Sequence, residues 1–292
     1  MRYTARNGSR RTSVCVSSQI GCAMGCTFCA TGTMGIIGNL TPGEIVEQVL
    51  WCLAIEPVRN VVFMGMGEPL QNYQAVCCAI DTLIRKDIFS LRHSRITVST
   101  MGLVDRMVQF IDTYPTIPLA LSLHAPNQSL RQQLIPSAHQ YPFESLLQVV
   151  DYYGQTTGKR MLIEYIVIEG VNSDDATIHE LGRLLTDRGV LLNLIPCNPI
   201  VGADVGAAAH VPSYVPPTPD RLGEICRILC NHYRIFVTVR REFGNDIWGA
   251  CGQLVSGART GVVDSTVRDV EDVVPSYAPL HRHIFPPPKF TL

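Results

Sequence analysis

Short apolar runs alternate with helix-patterned segments along most of the chain, and that alternation limits the fold more than any other feature. Residues 61–64, 96–99, 119–123, 162–168, 191–195 and 236–240 read as strands. Residues 73–84, 103–111, two amphipathic stretches ending near 153, 176–185 and 219–233 read as helices. Strands apolar on both faces, each followed by a helix, predict a parallel sheet covered by helices, an α/β fold. The first helix has a defined start, because Thr41-Pro42-Gly43-Glu44 is a capping box with proline at the first helical position. With 292 residues, 46% of them hydrophobic, the chain can bury a full core and is unlike a disordered or fibrous sequence. No run approaches the roughly 18 apolar residues of a membrane span.

Net charge is −1, which neither demands nor excludes a nucleic-acid partner. Its distribution is uneven: Arg2, Arg6, Arg10 and Arg11 crowd the start, and no acidic residue precedes Glu44. Such a segment fits a phosphate-facing edge, a solvated strand or an organelle transit segment. Eleven cysteines, an odd number, exclude complete pairing within one chain and suit a reducing compartment where thiols hold metal or do chemistry. Cys52, Cys77, Cys78, Cys226 and Cys230 fall in apolar helical segments and read as small core hydrophobes.

Cys22, Cys26 and Cys29 are different. They sit in Gly21-Cys22-Ala23-Met24-Gly25-Cys26-Thr27-Phe28-Cys29, where glycines let the backbone wrap closely around a bound group and weaken any helix. Structural zinc wants a fourth ligand, and no second C-x2-C pair supplies one. A 4Fe–4S cluster held by three thiolates instead leaves one iron open.

C-x3-C-x2-C with an aromatic residue before the last cysteine resembles the signature of radical S-adenosylmethionine (SAM) enzymes. The likeness extends to the stretch from Val14 to Cys22, to Met64-Gly65-Met66-Gly67-Glu68-Pro69-Leu70 and to Ser122-Leu123-His124-Ala125-Pro126-Asn127. It continues in Asn193-Leu194-Ile195-Pro196-Cys197-Asn198-Pro199 and Ala250-Cys251-Gly252-Gln253-Leu254. In that order these resemble the RNA adenine-C2 methyltransferases of the RlmN/Cfr family, over roughly residues 11–254.

The resemblance implies a partial (β/α)6 barrel carrying a 4Fe–4S cluster on Cys22, Cys26 and Cys29, with two SAM molecules used per turnover. It implies SAM contacts from Gly67, Glu68, Ser99, Ser122, Leu123, His124 and Asn198. It assigns Cys251 as the sulfur that one SAM methylates, and whose methyl group becomes a radical that adds to adenine. It assigns Cys15 to breaking the protein–RNA bond, leaving a transient Cys15–Cys251 disulfide, so both thiols are expected to be accessible and thiolate-prone. The implied substrate is large-subunit ribosomal RNA, with tRNA as a second candidate. The implied partner is a flavodoxin- or ferredoxin-type reductase, and the expected state is a monomer in the cytoplasm, or in an organellar stroma or matrix, with no membrane association.

Arg10, Arg11, Arg92, Arg95, Arg240 and Arg241 are candidate phosphate contacts. Family members normally begin with a helical accessory domain and a proton-accepting carboxylate, and Met1 falls after both, so the barrel is expected without that domain. The organisation expected is a basic N-terminal remnant at 1–11, the core barrel at 12–258 and a loosely ordered tail at 259–292, with 201–219 an inserted loop. Three other readings remain open: C8 methylation, a glycyl-radical activase and a degenerate iron–sulfur or RNA-binding homologue. An activase would need neither Cys15 nor Cys251.

Overall fold

A computed structural model describes residues 2–4, 10–200, 213–240 and 251–255, with only the backbone for 2–4 and 10–11. The expected tail at 259–292, most of the loop at 201–219 and the side chains of Arg10, Arg11 and Arg241 lie outside the described residues. The chain divides into two compact units, 1–255 and 256–292, of which the first is described here.

The main sheet contains β1 (Arg2–Thr4), β2 (Arg10–Val16), β5 (Val58–Phe63), β6 (Ile96–Thr100), β7 (Leu119–Ser122), β8 (Met161–Val167), β9 (Val190–Pro196) and β10 (Phe236–Val239), in that spatial order. β1 pairs antiparallel with β2, and every other neighbour pair is parallel. A two-stranded hairpin, β3 (Gln19–Gly21) and β4 (Ile36–Asn39), brackets the cysteine loop. Seven parallel strands in sequence order, with their helices between them and, among the described residues, no pairing between the two edge strands, make an open barrel of the (β/α) type. Six strands match the expected runs; the seventh, β2, carries Cys15 into the sheet.

The helices are α1 (Ala30–Thr33), α2 (Pro42–Ile55), α3 (Tyr73–Ile84), α4 (Val104–Thr113), α5 (Gln128–Leu134), α6 (Phe143–Thr157), α7 (Asp175–Leu185) and α8 (Pro219–Arg227). In α2 the capping box forms as read: the Thr41 hydroxyl accepts from the Glu44 amide, and the Glu44 carboxylate accepts from the Thr41 amide. α8 runs on as one π turn, Ile228–His232, rather than as continuous α-helix to 233. The core lies between sheet and helices, with Val61, Phe63, Ile96, Val98, Leu121, Ile163 and Leu192 fully buried under residues such as Ile45, Val76, Phe110 and Leu181. Of the helical cysteines, Cys77 is buried, while Cys52, Cys78, Cys226 and Cys230 are half-buried, Cys52 and Cys226 of them packed against the core. Among the described residues no helix is long and apolar enough to cross a membrane.

Candidate active site

Parallel strands end together, so residues at their C-terminal ends converge at one mouth of the sheet. A cavity opens there, lined by Cys15 from β2, Gly67 and Glu68 after β5, Ser99 from β6, Ser122 from β7, His124, Glu164 from β8, Asn198 after β9 and Arg240 after β10. Cys22, Cys26 and Cys29 form part of its wall, and so do Cys251 and Gly252. Of the residues expected to contact SAM, only Leu123 is not on this wall. It is fully buried, its amide donates to the Glu164 carbonyl, and its carbonyl accepts from Arg131.

The cysteine loop is shaped by close backbone approach. Gly21 has φ +75°, and a Cβ there would stand 2.0 Å from the Gly35 carbonyl oxygen, the same oxygen that accepts from the Cys22 amide at 2.8 Å. A later segment closes the loop from the other side. The Ala30 amide donates to the Gly252 carbonyl at 2.6 Å and the Thr31 hydroxyl to the Leu254 carbonyl at 2.5 Å. Asn198 Nδ2 donates to the Cys251 carbonyl at 2.9 Å. Cys251 is thereby fixed beside the cluster loop, although far from it in sequence.

Burial pushes Cys22 up to about 12 and raises Cys26 and Cys29 as well, and charge on one thiol opposes charge on its neighbours. Three such sulfurs become thiolates together only around a strongly cationic body. The three thiols line one cavity. Among the described residues, Asn198 Oδ1 is buried without a hydrogen-bond partner. Three cysteines for a polynuclear cluster with an open position, and an orphaned acceptor on the same wall, fit an iron–sulfur cluster with a polar ligand beside it.

Glu68 is almost fully buried, and burial raises its carboxyl to about 7 against the hydrogen bonds that lower it. Its Oε2 accepts from the Met101 amide at 2.7 Å and its Oε1 from the Leu70 amide at 3.0 Å. A carboxylate has about four acceptor sites, so it can tie the β5 and β6 loops together and still meet an ammonium. Gly67, at φ +94°, is held against Gln19, whose Cβ would lie 2.5 Å from any Cβ added there. His124 Nδ1 accepts from the Ile166 amide at 2.9 Å, which places the ring proton on Nε2. Burial lowers its pKa to about 3, keeping the ring neutral.

Cys15 and Cys251 sit close enough that charge on Cys251 raises Cys15, and Arg240 lowers both. Burial outweighs that cation: Cys15 is raised to about 11 and Cys251 also upward. Burial thus acts against the thiolate-prone character expected of both sulfurs, and Arg240 acts for it. All eleven cysteines are free thiols.

Sequence reading missed three organising residues. Arg131 is fully buried and donates to the carbonyls of Leu123 at 3.2 Å, Ser122 at 3.3 Å and Met101, holding the ends of β6 and β7. Asn172, also fully buried, accepts from the Ile168 amide at 2.7 Å and donates to the Ile166 and His124 carbonyls. Gln19 accepts from the Glu68 amide at 2.8 Å and donates to Asn39 and Gln71. Among the candidate phosphate arginines, Arg240 points into the cavity instead of the outer surface, and Arg95 leans on Asn60 Oδ1 at 3.4 Å.

An open parallel barrel with a three-cysteine loop at the C-terminal mouth defines the class, and residues 16–181 match the model of the radical SAM superfamily. A crystal structure of a radical SAM methyltransferase from Sphaerobacter thermophilus superposes with a TM-score of 0.74 at 40% identity, covering 86% of this chain and 75% of that one. A Synechocystis protein described as a probable dual-specificity RNA methyltransferase RlmN is 43% identical over 260 residues, 88% of this chain and 71% of that protein. A Nitrosopumilus maritimus protein described as ribosomal RNA large subunit methyltransferase N is 40% identical over 270 residues, 90% of this chain and 73% of that one. The chain belongs to the RlmN family of radical SAM RNA methyltransferases.

Proposed function

We propose that this chain methylates C2 of an adenine in large-subunit ribosomal RNA, and in tRNA as a second substrate, by way of a methyl group carried on Cys251. The observation that carries this reading is the meeting of Cys15 and Cys251 on one cavity wall with Cys22, Cys26 and Cys29. An enzyme that used the cluster only to make a radical for another protein would need neither of the two extra thiols.

Cys22, Cys26 and Cys29 would hold a 4Fe–4S cluster, and SAM would lie against Gly67, Glu68, Ser99, Ser122, His124 and Asn198. When bound, the two supply the one-electron chemistry that a ring carbon without a lone pair requires. This chain's residues do the rest. Glu68 offers a buried carboxylate to an ammonium, and Asn198 offers the unsatisfied Oδ1. Neutral His124 packs edge-on against Phe28, with ring centroids 4.9 Å apart, and closes the floor. Cys251 Sγ takes the methyl group and passes its carbon to the base. Cys15 Sγ then attacks Cys251 Sγ, the S–S bond forming as the S–C bond to the base's new methylene breaks. That carbon leaves with the electron pair and is protonated to the methyl group, after which an external reductant reopens the disulfide. Two SAM molecules are used per turnover, and a flavodoxin- or ferredoxin-type reductase supplies electrons. The reading takes the chain as a monomer in the cytoplasm, or in an organellar stroma or matrix.

The test is anaerobic reconstitution with iron and sulfide, addition of SAM, and mass spectrometry of the peptide containing Cys251. A gain of one methyl on Cys251 supports the reading. A chain that binds the cluster and SAM but leaves Cys251 unmodified rejects it.

A further inference from the structure

A polar row crosses four neighbouring strands of the sheet. Ser122, Glu164, Asn193 and Thr238 are register partners across β7, β8, β9 and β10. Paired positions in neighbouring strands share a face, so the four side chains stand in line. Arg240, two residues beyond Thr238, follows on that side, and its amide extends the ladder onto the Leu194 carbonyl at 2.9 Å.

The row is wired from its outer end. Thr238 Oγ1 donates to Asn193 Oδ1 at 2.8 Å, and Asn193 Nδ2 donates to Glu164 Oε2 at 2.9 Å. Arg240 Nη1 lies 4.0 Å from the same Glu164 oxygen and 3.5 Å from the Met64 sulfur. The ion pair is therefore open, longer than a hydrogen bond. Among the described residues Glu164 Oε1 has no donor, and the guanidinium has no closer oxygen. A buried carboxylate and a half-buried guanidinium, 4% and 18% exposed, thus stand side by side on the wall of the reaction cavity with hydrogen-bonding capacity to spare.

Resting on the RNA-methyltransferase reading above, we infer that Glu164 and Arg240 read the target base as adenine. Adenine presents an exocyclic N–H donor beside a ring-nitrogen acceptor, whereas guanine presents an acceptor oxygen where adenine has its donor. Amide side chains recognise adenine by offering an acceptor and a donor side by side. Glu164 and Arg240 offer the same pair in charged form, to a nucleotide turned out of its stack. With C2 against Cys251, Arg240 donates to N1, the ring nitrogen next to that carbon, and Glu164 accepts from the exocyclic amine. A guanine would set its oxygen against the carboxylate and leave a buried charge without a partner. Asn193 and Thr238 are positioning residues that hold the carboxylate.

The test uses the reconstituted full chain and a hairpin transcript of large-subunit ribosomal RNA that the wild type methylates. The target position carries either adenosine or purine riboside, which lacks the exocyclic amine. Binding is read by fluorescence anisotropy, and methyl transfer and the methyl on Cys251 by mass spectrometry. The wild type should prefer adenosine by about tenfold or more in both binding and transfer, the scale of a hydrogen bond to a charged group. Glu164→Ala should bring the two RNAs to within about twofold of each other and keep both the iron and the Cys251 methyl. Glu164→Gln, which retains the shape and one acceptor oxygen, should fall between. A preference unchanged in Glu164→Ala overturns the assignment, as does a wild type that methylates both RNAs alike. Loss of iron or of the Cys251 methyl in both variants also overturns it, by making the pair a support of the thiol wall. A wild type that methylates neither Cys251 nor RNA instead sinks the underlying methyltransferase reading.

Discussion

At the scale of single residues, the frame of the site rests on buried polar side chains that take their partners from strand and loop ends. Arg131 is the clearest case: a fully buried cation, lowered by burial to about 10, that donates to three carbonyls from two strand ends. Arg131→Met keeps much of the volume and leaves those carbonyls without donors. Chemical denaturation should show a loss of about 3 kcal/mol or more, since each orphaned buried group costs about 1–3 kcal/mol. Such a residue is hard to find in sequence, because an arginine on an amphipathic helix normally reads as solvated. The cysteines behave otherwise, since their chemistry is separable from their packing. Cys251→Ala should abolish methyl transfer to RNA while iron content and folding stay as in the wild type. Cys15→Ala should accumulate a covalent protein–RNA adduct, visible as a shifted band on a denaturing gel; a variant that turns over without one would remove Cys15 from the resolving step.

At the scale of elements, what was legible in the sequence was what local physics determines. The capping box of α2, the exact span of α3 from Tyr73 to Ile84 and the six apolar strands follow from periodicity and cap chemistry. α7 shows how far such local terms go. Asp174 caps it, accepting from the Thr177 amide at 3.0 Å and the Thr177 hydroxyl at 2.6 Å, and these bonds hold its carboxyl below the usual range. A depressed folded-state pKa contributes stability that is fully present above the unfolded value of about 3.9. It disappears as pH falls through the lower folded value. Asp174→Ala should cost about 1 kcal/mol near neutrality. Asp174→Asn should keep most of the cap and lose the acid-dependent part, so its melting temperature should vary less than that of the wild type between pH 5 and pH 3. The row Ser122–Glu164–Asn193–Thr238 was not legible, because each member is one polar residue in a separate apolar run. Only the register makes them neighbours.

At the scale of the described unit, the site is closed by segments from opposite ends of it. β2 brings Cys15 to the sheet, and residues 251–255 return to cap the cysteine loop through Ala30, Thr31 and Asn198. The family likeness carried this juxtaposition in advance, while composition and periodicity did not, since neither Cys15 nor Cys251 lies near a cluster cysteine in any local pattern. Closure of that kind couples cofactor loading to stability. Burial raises Cys22, Cys26 and Cys29, so on the reading proposed above a cationic cluster is what favours their thiolates. On that same reading SAM uses the open iron, and it should bind the native state only after the cluster has. A ligand that binds the folded form alone stabilises it by about 2.7 kcal/mol at a hundred times its Kd, enough to raise the melting temperature by about 5 °C in a chain of this size. The expected result is order-dependent: SAM shifts the melting curve of the reconstituted protein and leaves that of the iron-free protein, or of Cys26→Ala, where it was. An equal shift in all three would mean that the pocket holds SAM through Glu68, Asn198 and the serines alone, without contribution from the metal.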